Sequence, residues 1–256
     1  MNSLPQQRTF LTAEWKNLLM LNYAVEPELL RPFVPAGTEL DSHEGLTYAS
    51  LIGFEFNKTH LFGHAVPFHQ AFEEVNLRFY VRHGIRRGVV FIRELVPKVA
   101  VTAIARFAYG ENYSCVPMSH RLESNAGSLL AEYSWGSDVA RCTISGTTTR
   151  EPYLPAQGSL SEFITEHYWG YAVRNSRTVE YQVDHPQWQV READTAEFSG
   201  DSARYYGSDF ARLLERPADS AFLAEGSAVT VFKGTPISGS QSNESAQMPP
   251  LFERNV

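Results

Sequence analysis

Residues 73–82 read Glu-Glu-Val-Asn-Leu-Arg-Phe-Tyr-Val-Arg and alternate polar with apolar side chains, which is the period of a β-strand. One face of this strand carries Val75, Leu77, Phe79 and Val81. The other face carries Glu74, Asn76, Arg78, Tyr80 and Arg82. A polar strand face usually points to water. Because Asn and Glu are poor strand formers, their presence also suits a polar cavity. Alternation alone leaves both interpretations open.

Much of the remaining chain also has the character of β-strands. Short segments rich in β-branched or aromatic residues predict strands at 46–56, 88–96, 128–135, 139–150, 178–183, 187–191 and 228–233. The segments at 178–183 and 187–191 are predicted to pair across a turn at His185-Pro186. Residues 100–109 fit either a strand or a short helix.

Four short segments have helical signals. Trp15, Leu18, Leu19 and Asn22 recur at helix spacing after a possible N-cap at Thr12. Further helices are predicted at 26–32 and 203–214, and Ser159-Leu-Ser-Glu162 has the form of a capping box that starts a helix reaching 166 or 167. Few short helices among many short strands favour a β-dominated α+β fold built on a closed or nearly closed barrel.

Length and composition are those of a single globular domain. The chain has 256 residues with 43% hydrophobic and 12% aromatic content, and no linker divides residues 1–235. From residue 236 to 256 the composition turns to Ser, Gly, Asn, Gln and Pro, which predicts a disordered C-terminal tail.

Charge and patterning argue against several classes of function. The net charge is −7 and the basic residues form no large cluster, so nucleic-acid binding is not expected. The apolar stretches are far shorter than the roughly 20 residues that span a bilayer, and the N-terminus lacks the pattern of a signal peptide. We therefore expect no membrane association and a cytoplasmic location with Cys115 and Cys142 reduced.

No metal or cofactor site is expected. Three histidines, His60, His64 and His69, lie close in sequence, but Gly63 and Pro67 interrupt any helix that would align them. No acidic or cysteine ligand completes the set nearby. The motifs of phosphate and dinucleotide binding are also missing from the sequence, so we expect no cofactor. His120, His167 and His185 are interpreted as ordinary hydrogen-bonded residues.

A second polar segment, residues 105–113, contains further candidate ligand-binding residues. Arg106 has the planar donor face that suits a carboxylate, and Glu111 would act as a base if burial raised its pKa. Tyr109 and Tyr113 offer hydroxyl groups to orient a ligand. A solvated surface loop is the alternative interpretation.

Several short motifs are distributed over residues 8–235. They are Trp15, Asn22, Val34-Pro-Ala-Gly37, Phe72-Glu-Glu-Val-Asn-Leu-Arg-Phe-Tyr-Val81, Arg87-Gly-Val-Val-Phe91 and Glu166-His-Tyr-Trp-Gly-Tyr171. Together they resemble the YqjF-like family of uncharacterised conserved proteins, domain of unknown function 2071, which is grouped by fold with acetoacetate decarboxylase. The resemblance implies a cone-shaped antiparallel or mixed β-barrel with a polar cavity. It also implies that Arg106 occupies the arginine position of the superfamily motif and that Glu74 is a cavity carboxylate.

The resemblance does not carry over the nucleophile of the decarboxylase. In that enzyme a lysine with a lowered pKa forms a Schiff base with the substrate ketone. The alignment of the motif puts Tyr113 at the position of this lysine and Ser114 at the next, and a phenol cannot form an imine. The chain has four lysines, Lys16, Lys58, Lys98 and Lys233, of which Lys98 is nearest in sequence. We interpret Lys98 as a solvated residue at the end of a strand.

Three functions therefore stay open at this point. The first is an enzyme acting on a small carboxylate or carbonyl metabolite, with Arg78 or Arg106 binding the anion and Glu74 or Glu111 moving a proton. The second is a non-catalytic module that binds a small ligand in the same pocket. The third is a structural or assembly protein whose barrel holds only packed side chains. The resemblance leaves a homo-oligomer open, because acetoacetate decarboxylase relatives assemble into oligomers.

Overall fold

The computed structural model describes residues 8–65, 70–98, 112–125 and 127–237. Its first strands are β1 Thr9–Val25, β2 Glu39–Leu40, β3 Thr47–Leu61, β4 His64–Ala65, β5 Phe72–His83, β6 Arg86–Val96, β7 Tyr113–Cys115 and β8 Met118–Asn125. The later strands are β9 Ser128–Trp135, β10 Cys142–Thr148, β11 Trp169–Arg174, β12 Arg177–Asp184, β13 Val190–Glu192, β14 Thr195–Gly200, β15 Ser220–Phe232 and β16 Thr235–Pro236. The helices in these ranges are α1 Pro27–Leu30, α2 Leu160–Thr165 and α3 Ala203–Leu214, with a 3₁₀ turn at Arg31–Phe33.

The main sheet closes into a ring. Its strands follow the order β15-β1-β3-β5-β6-β11-β12, and β12 pairs back with β15, where Val183 lies opposite Val231. The β6–β11 pair is parallel, whereas the other neighbours in the ring are antiparallel. The prediction of a β-dominated, mixed and closed barrel with a few short helices is confirmed.

The two faces of the barrel wall bury different clusters. On β5, Val75 and Leu77 belong to a cluster outside the ring, which includes Tyr133 of β9 and Phe210 of α3. Phe72 and Tyr80 of the same strand belong to a cluster inside the ring. Because successive strand residues point to opposite faces, Glu74, Asn76 and Arg78 share the inner face with Phe72 and Tyr80.

A second, four-stranded sheet covers part of the outer wall. Its order is β14-β10-β9-β8, and its apolar face packs against β1, β3 and β5 through residues such as Tyr133 and Ile144. The two sheets come unusually close at Gly53 of β3, where a Cβ atom would lie only 2.6 Å from a ring carbon of Tyr133. The outer apolar face of β5 is thus buried too, so neither face of this strand is exposed to solvent.

The predicted N-terminal helix is wrong, because residues 9–25 form the long strand β1. Asn17 has a φ of 56° and interrupts the pairing of β1 with β3 between Lys16 and Leu19. This extra residue changes which positions face inward, so Trp15 and Leu18 share the inner face. A bulged strand thereby imitates the three-residue spacing of a helix.

Other predicted elements are partly confirmed. The strand at 128–135 and the helix at 203–214 are confirmed with the predicted ends. The strands at 46–56, 88–96 and 139–150 and the helix at 26–32 are present with altered ends. Half of the predicted capping box of α2 is present: the Ser159 hydroxyl accepts a bond from the Glu162 amide at 3.2 Å, whereas the Glu162 side chain accepts from the Gly158 amide and not from that of Ser159. The strand at 228–233 is the end of the longer β15.

The expected pairing of 178–183 with 187–191 is wrong. Strand β12 pairs with β11 and β15, whereas β13 pairs with β15 at Val190 opposite Ala224. Of the predicted tail, Pro236 takes part in β16 against β12, and residues 238–256 lie outside the described part of the chain. The segment 100–109 also lies outside it. Within the described ranges, none of the helices is long and apolar enough to cross a bilayer.

Candidate functional site

The inner face of β5 brings three of the predicted site residues together. Glu74, Asn76 and Arg78 are buried, with relative exposures of 2%, 3% and 9%. Across the β3–β5 pair they lie opposite Phe54, Ile52 and Ser50, respectively. The polar face of this strand therefore points into the barrel and not to solvent.

Glu74 is the centre of one hydrogen-bonded group. Its Oε1 accepts a bond from Asn76 Nδ2 at 2.9 Å, and its Oε2 accepts a bond from the Tyr113 hydroxyl at 3.1 Å. Tyr113 lies on β7, which pairs in parallel with β6 at Glu94, and Glu94 lies opposite Asn76 on the other side. Two buried carboxyl groups, a phenol and an amide therefore occupy one part of the interior.

A second polar group crosses the interior through four side chains. The Ser50 hydroxyl donates to Asn22 Oδ1 at 2.7 Å and lies 2.6 Å from the Tyr80 hydroxyl. Asn22 Nδ2 donates to the Ser220 hydroxyl at 3.2 Å. These groups satisfy one another, as buried polar groups must, and they place hydroxyl groups beside Arg78.

Arg78 lies between the two polar groups and carries a buried positive charge. One terminal nitrogen donates to the Ile164 carbonyl at 3.1 Å, and the guanidinium lies 5.7 Å from the centre of the Tyr80 ring. Its Nε is buried without a hydrogen-bond partner among the described residues, and no carboxylate of these residues forms an ion pair with it. A buried guanidinium without an anion is energetically costly.

His167 is buried close to Arg78, two residues beyond the end of α2. Its ring packs 4.6 Å from the Tyr80 ring and 5.8 Å from that of Phe163. Burial, followed by the positive charges of Arg78 and Arg87, holds the pKa of the imidazole well below its usual range. The Ile164 carbonyl opposes this shift, but neither ring nitrogen forms a hydrogen bond of good geometry with a described residue.

A surface depression lies at the same end of the barrel. It has a volume of about 490 Å³ and is lined by residues that include Leu160 of α2 and both Ser220 and Phe222 of β15. Ser220 thus connects this depression to the hydrogen-bonded side chains of the interior. Another depression, of about 340 Å³, lies between β1, the β8–β9 hairpin and β15, and none of the predicted site residues in the described ranges lines it.

The other predicted site residues fall outside the described part of the chain. Arg106, Tyr109 and Glu111 all lie in the segment 99–111. Sequence reasoning missed Glu94 and underestimated His167, which was expected to be an ordinary hydrogen-bonded residue. A charged residue in a strand of apolar neighbours was the available signal for Glu94, whereas His167 had none because its surroundings come from distant strands.

The histidine-rich segment shows no sign of a metal site where it is described. His60 Nδ1 lies 2.7 Å from the carbonyl oxygen of Lys58, and His64 is exposed. His69 lies outside the described residues. In the described ranges no group of three or more His, Cys, Asp or Glu residues is arranged to hold a metal ion.

Comparison with known proteins identifies the family. The profile of the family described as an uncharacterised conserved protein, DUF2071, matches residues 12–228. The chain belongs to this family. A relative is the uncharacterised protein YqjF of Bacillus subtilis (strain 168), which is 24% identical over 194 residues, or 75% of this chain and 79% of YqjF.

Solved structures relate this DUF2071 protein to the acetoacetate decarboxylase fold. The enduracididine biosynthesis enzyme MppR, complexed with pyruvate, has a TM-score of 0.67 at 14% identity, over 94% of this chain and 95% of MppR. Acetoacetate decarboxylase from Legionella pneumophila has a TM-score of 0.63 at 12% identity, over 94% and 93% of the two chains. At these identities the likeness establishes the fold alone.

None of the hydrogen bonds described above for the polar interior involves a lysine of this DUF2071 protein. Lys58 pairs with Glu14 on the outside of the barrel at 2.7 Å, and Lys233 is exposed. Lys16 is half-buried on β1 beside the Asn17 bulge, and Lys98 is half-buried two residues beyond the end of β6. Tyr113, the residue aligned with the Schiff-base lysine, lies inside the barrel, where its hydroxyl bonds to Glu74.

Proposed function

We propose that this protein binds a small carboxylate or oxo-acid metabolite inside its barrel, without forming a Schiff base. The buried Arg78 carries the proposal, because its guanidinium lacks an ion-pair partner among the described residues. A ligand carboxylate would supply the missing anion and accept a bond from Nε. The net charge of the chain is −7, so the protein as a whole does not attract anions, and the proposed carboxylate binding depends on the local charge of Arg78.

The surroundings of Arg78 suit a small polar ligand. Glu74 and Tyr113 offer a carboxyl and a hydroxyl group on one side, and Ser50 and Tyr80 offer hydroxyl groups on the other. One structural neighbour, MppR, is known in complex with pyruvate, which is a ligand of this chemical class. In a catalytic version of the proposal, Glu74 and Tyr113 exchange a proton with the bound ligand.

Charge selectivity tests the proposal. We expect acetate, pyruvate and acetoacetate to raise the melting temperature of the full chain, whereas the neutral analogues acetamide and acetone leave it unchanged. The physical reason is linkage, since a ligand that binds only the folded state stabilises it by RT ln(1 + [L]/Kd). Equal shifts with the neutral analogues, or no shift with any carboxylate, would contradict carboxylate binding at Arg78.

Turnover separates an enzyme from a binding module. If the protein is an enzyme, Glu74→Gln should retain carboxylate binding, measured by calorimetry, and lose conversion of the bound compound, measured by proton NMR. Gln keeps the shape and the acceptor oxygen of Glu but cannot take up a proton. Binding by the parent chain with no conversion of any tested oxo acid would favour the non-catalytic alternative.

Borohydride trapping tests the absence of Schiff-base chemistry. We expect no mass increase when the chain is reduced with borohydride in the presence of pyruvate or acetoacetate, because a phenol stands at position 113. An acetoacetate decarboxylase treated in parallel provides the positive control for trapping. A covalent adduct mapped to Lys98 would show that another amine has replaced the expected lysine.

A further inference from the structure

The segment 164–167 forms a wall of the interior directly against Arg78. Its Ile164 carbonyl accepts a bond from the Arg78 guanidinium at 3.1 Å, and the backbone amide of His167 donates to the Thr165 carbonyl at 3.2 Å. This short turn after α2 holds the His167 ring 4.6 Å from the Tyr80 ring, whose centre lies 5.7 Å from the Arg78 guanidinium. Arg78 and His167 therefore border one region of the interior.

Buried side-chain atoms without a hydrogen-bond partner occur at several places in the described structure, and Arg78 and His167 together carry three of them. Arg78 Nε and both His167 ring nitrogens are buried without a hydrogen bond to a described residue. The relative exposure of His167 is only 6%, so bulk water does not satisfy them. Buried polar groups are nearly always hydrogen-bonded, so a ligand oxygen bound here would give these atoms the partners that the described residues do not supply.

We infer that His167 is a second ligand-binding residue, whose neutral imidazole donates a hydrogen bond to an oxygen atom of the carboxylate ligand held by Arg78. This inference rests on the proposed function, because the ligand is the one assigned to Arg78. A neutral imidazole carries one N–H donor and one acceptor nitrogen. The N–H group donates a hydrogen bond to an oxygen of the carboxylate that Arg78 binds. Because the imidazole is neutral, it adds no second buried charge.

The neighbouring charges support a neutral donor. Burial, followed by the positive charges of Arg78 and Arg87, lowers the pKa of His167 and so disfavours its protonated form. Arg87 itself is paired with Asp41 at 2.7 Å and lies over the Phe163 ring, so its own charge is already balanced. In this arrangement Arg78 provides the ionic contact to the ligand, and His167 provides a hydrogen bond that orients it.

Two substitutions of His167 separate ligand contact from packing. His167→Phe keeps an aromatic ring of similar size but removes the donor and the acceptor, whereas His167→Gln keeps an amide N–H donor. With pyruvate as the calorimetric probe, we expect His167→Phe to weaken binding by about tenfold to a hundredfold and His167→Gln by less than about fivefold. His43→Phe is the matched control, because His43 packs against the Phe163 ring, which His167 also contacts. We expect this variant to bind pyruvate as tightly as the parent chain.

A spectroscopic readout distinguishes direct contact from a structural effect. In the chain labelled with ¹⁵N-histidine, pyruvate should shift the ring resonances of His167 to hydrogen-bonded values, while those of His43 stay unchanged. If His167→Phe binds pyruvate as tightly as the parent, and Arg78→Met does not bind it, the inference about His167 fails and the proposed function stands. If the parent chain binds neither pyruvate nor acetate at millimolar concentration, the proposed function and this inference are both rejected.

Discussion

Arg78→Met is expected to weaken carboxylate binding by about a hundredfold or more while the barrel stays folded. The substitution removes the one described cation of the interior that has no anionic partner, together with its Nε donor. A charge-assisted, two-pronged contact in a desolvated site contributes most of the affinity for a small anion, because no water replaces it. Calorimetry with acetate and pyruvate measures the loss.

The same substitution has a distinctive expected effect on stability. Met fills much of the volume of the Arg side chain and removes a buried guanidinium, and such replacements of buried charges are often neutral or stabilising by about 1–4 kcal/mol. The hydrogen bond to the Ile164 carbonyl is lost, which offsets part of this gain by about 1 kcal/mol. We therefore expect a melting temperature equal to or above that of the parent chain.

Arg82→Met is the control on the same strand and the same face. Arg82 lies at the exposed end of β5, where its side chain pairs with the exposed Glu39 at 3.1 Å. Exposed pairs contribute about 0–1 kcal/mol, so this variant should change neither stability nor binding appreciably. A large drop in the melting temperature of Arg78→Met, or binding equal to that of the parent, would instead mark Arg78 as a structural residue that tethers α2 to the barrel.

The contrast between β5 and β1 shows how much the sequence predicts. Strand β5 is regular in its inner residues, so alternation correctly groups Glu74, Asn76 and Arg78 on one face. Alternation does not tell whether that face meets water or a cavity, because the answer depends on the outer face. The second sheet buries the outer face of β5, and its strands begin 35 or more residues after β5 ends.

Bulges and long-range contacts explain what the sequence does not predict. Strand β1 is misread as a helix because one residue at Asn17 changes the period of the pattern. The buried position of His167 beside Arg78 and Tyr80 is not predicted, because a lone histidine carries no pattern and these neighbours are more than eighty residues away. Closure of the barrel is predicted mainly from the family resemblance, because the β12–β15 pair that closes the ring leaves no local pattern in the sequence.

Gly53→Ala is expected to destabilise the fold by about 2–4 kcal/mol, which is a large effect for one methyl group. The new Cβ would lie 2.6 and 2.7 Å from two ring carbons of Tyr133 and 2.9 Å from Ile144 Cδ1. The Tyr133 ring is fully buried, and its hydroxyl donates to the Asn17 carbonyl at 2.7 Å, so it has little freedom to move away. Urea unfolding of the purified chain measures the loss.

Gly146→Ala provides the matched control, because Gly146 lies on the second sheet and faces the same interface from the other side. There the added Cβ would approach Leu19 Cδ1 at 2.6 Å, which is the end of a flexible side chain, and the next contact is at 3.5 Å. A rotamer change of Leu19 relieves that clash, so we expect a loss of about 1–2 kcal/mol. If Gly53→Ala proved no more destabilising than Gly146→Ala, the second sheet would not be held against the barrel by a rigid contact at Tyr133. The burial of the outer face of β5, which forces its polar residues inward, would then need another cause.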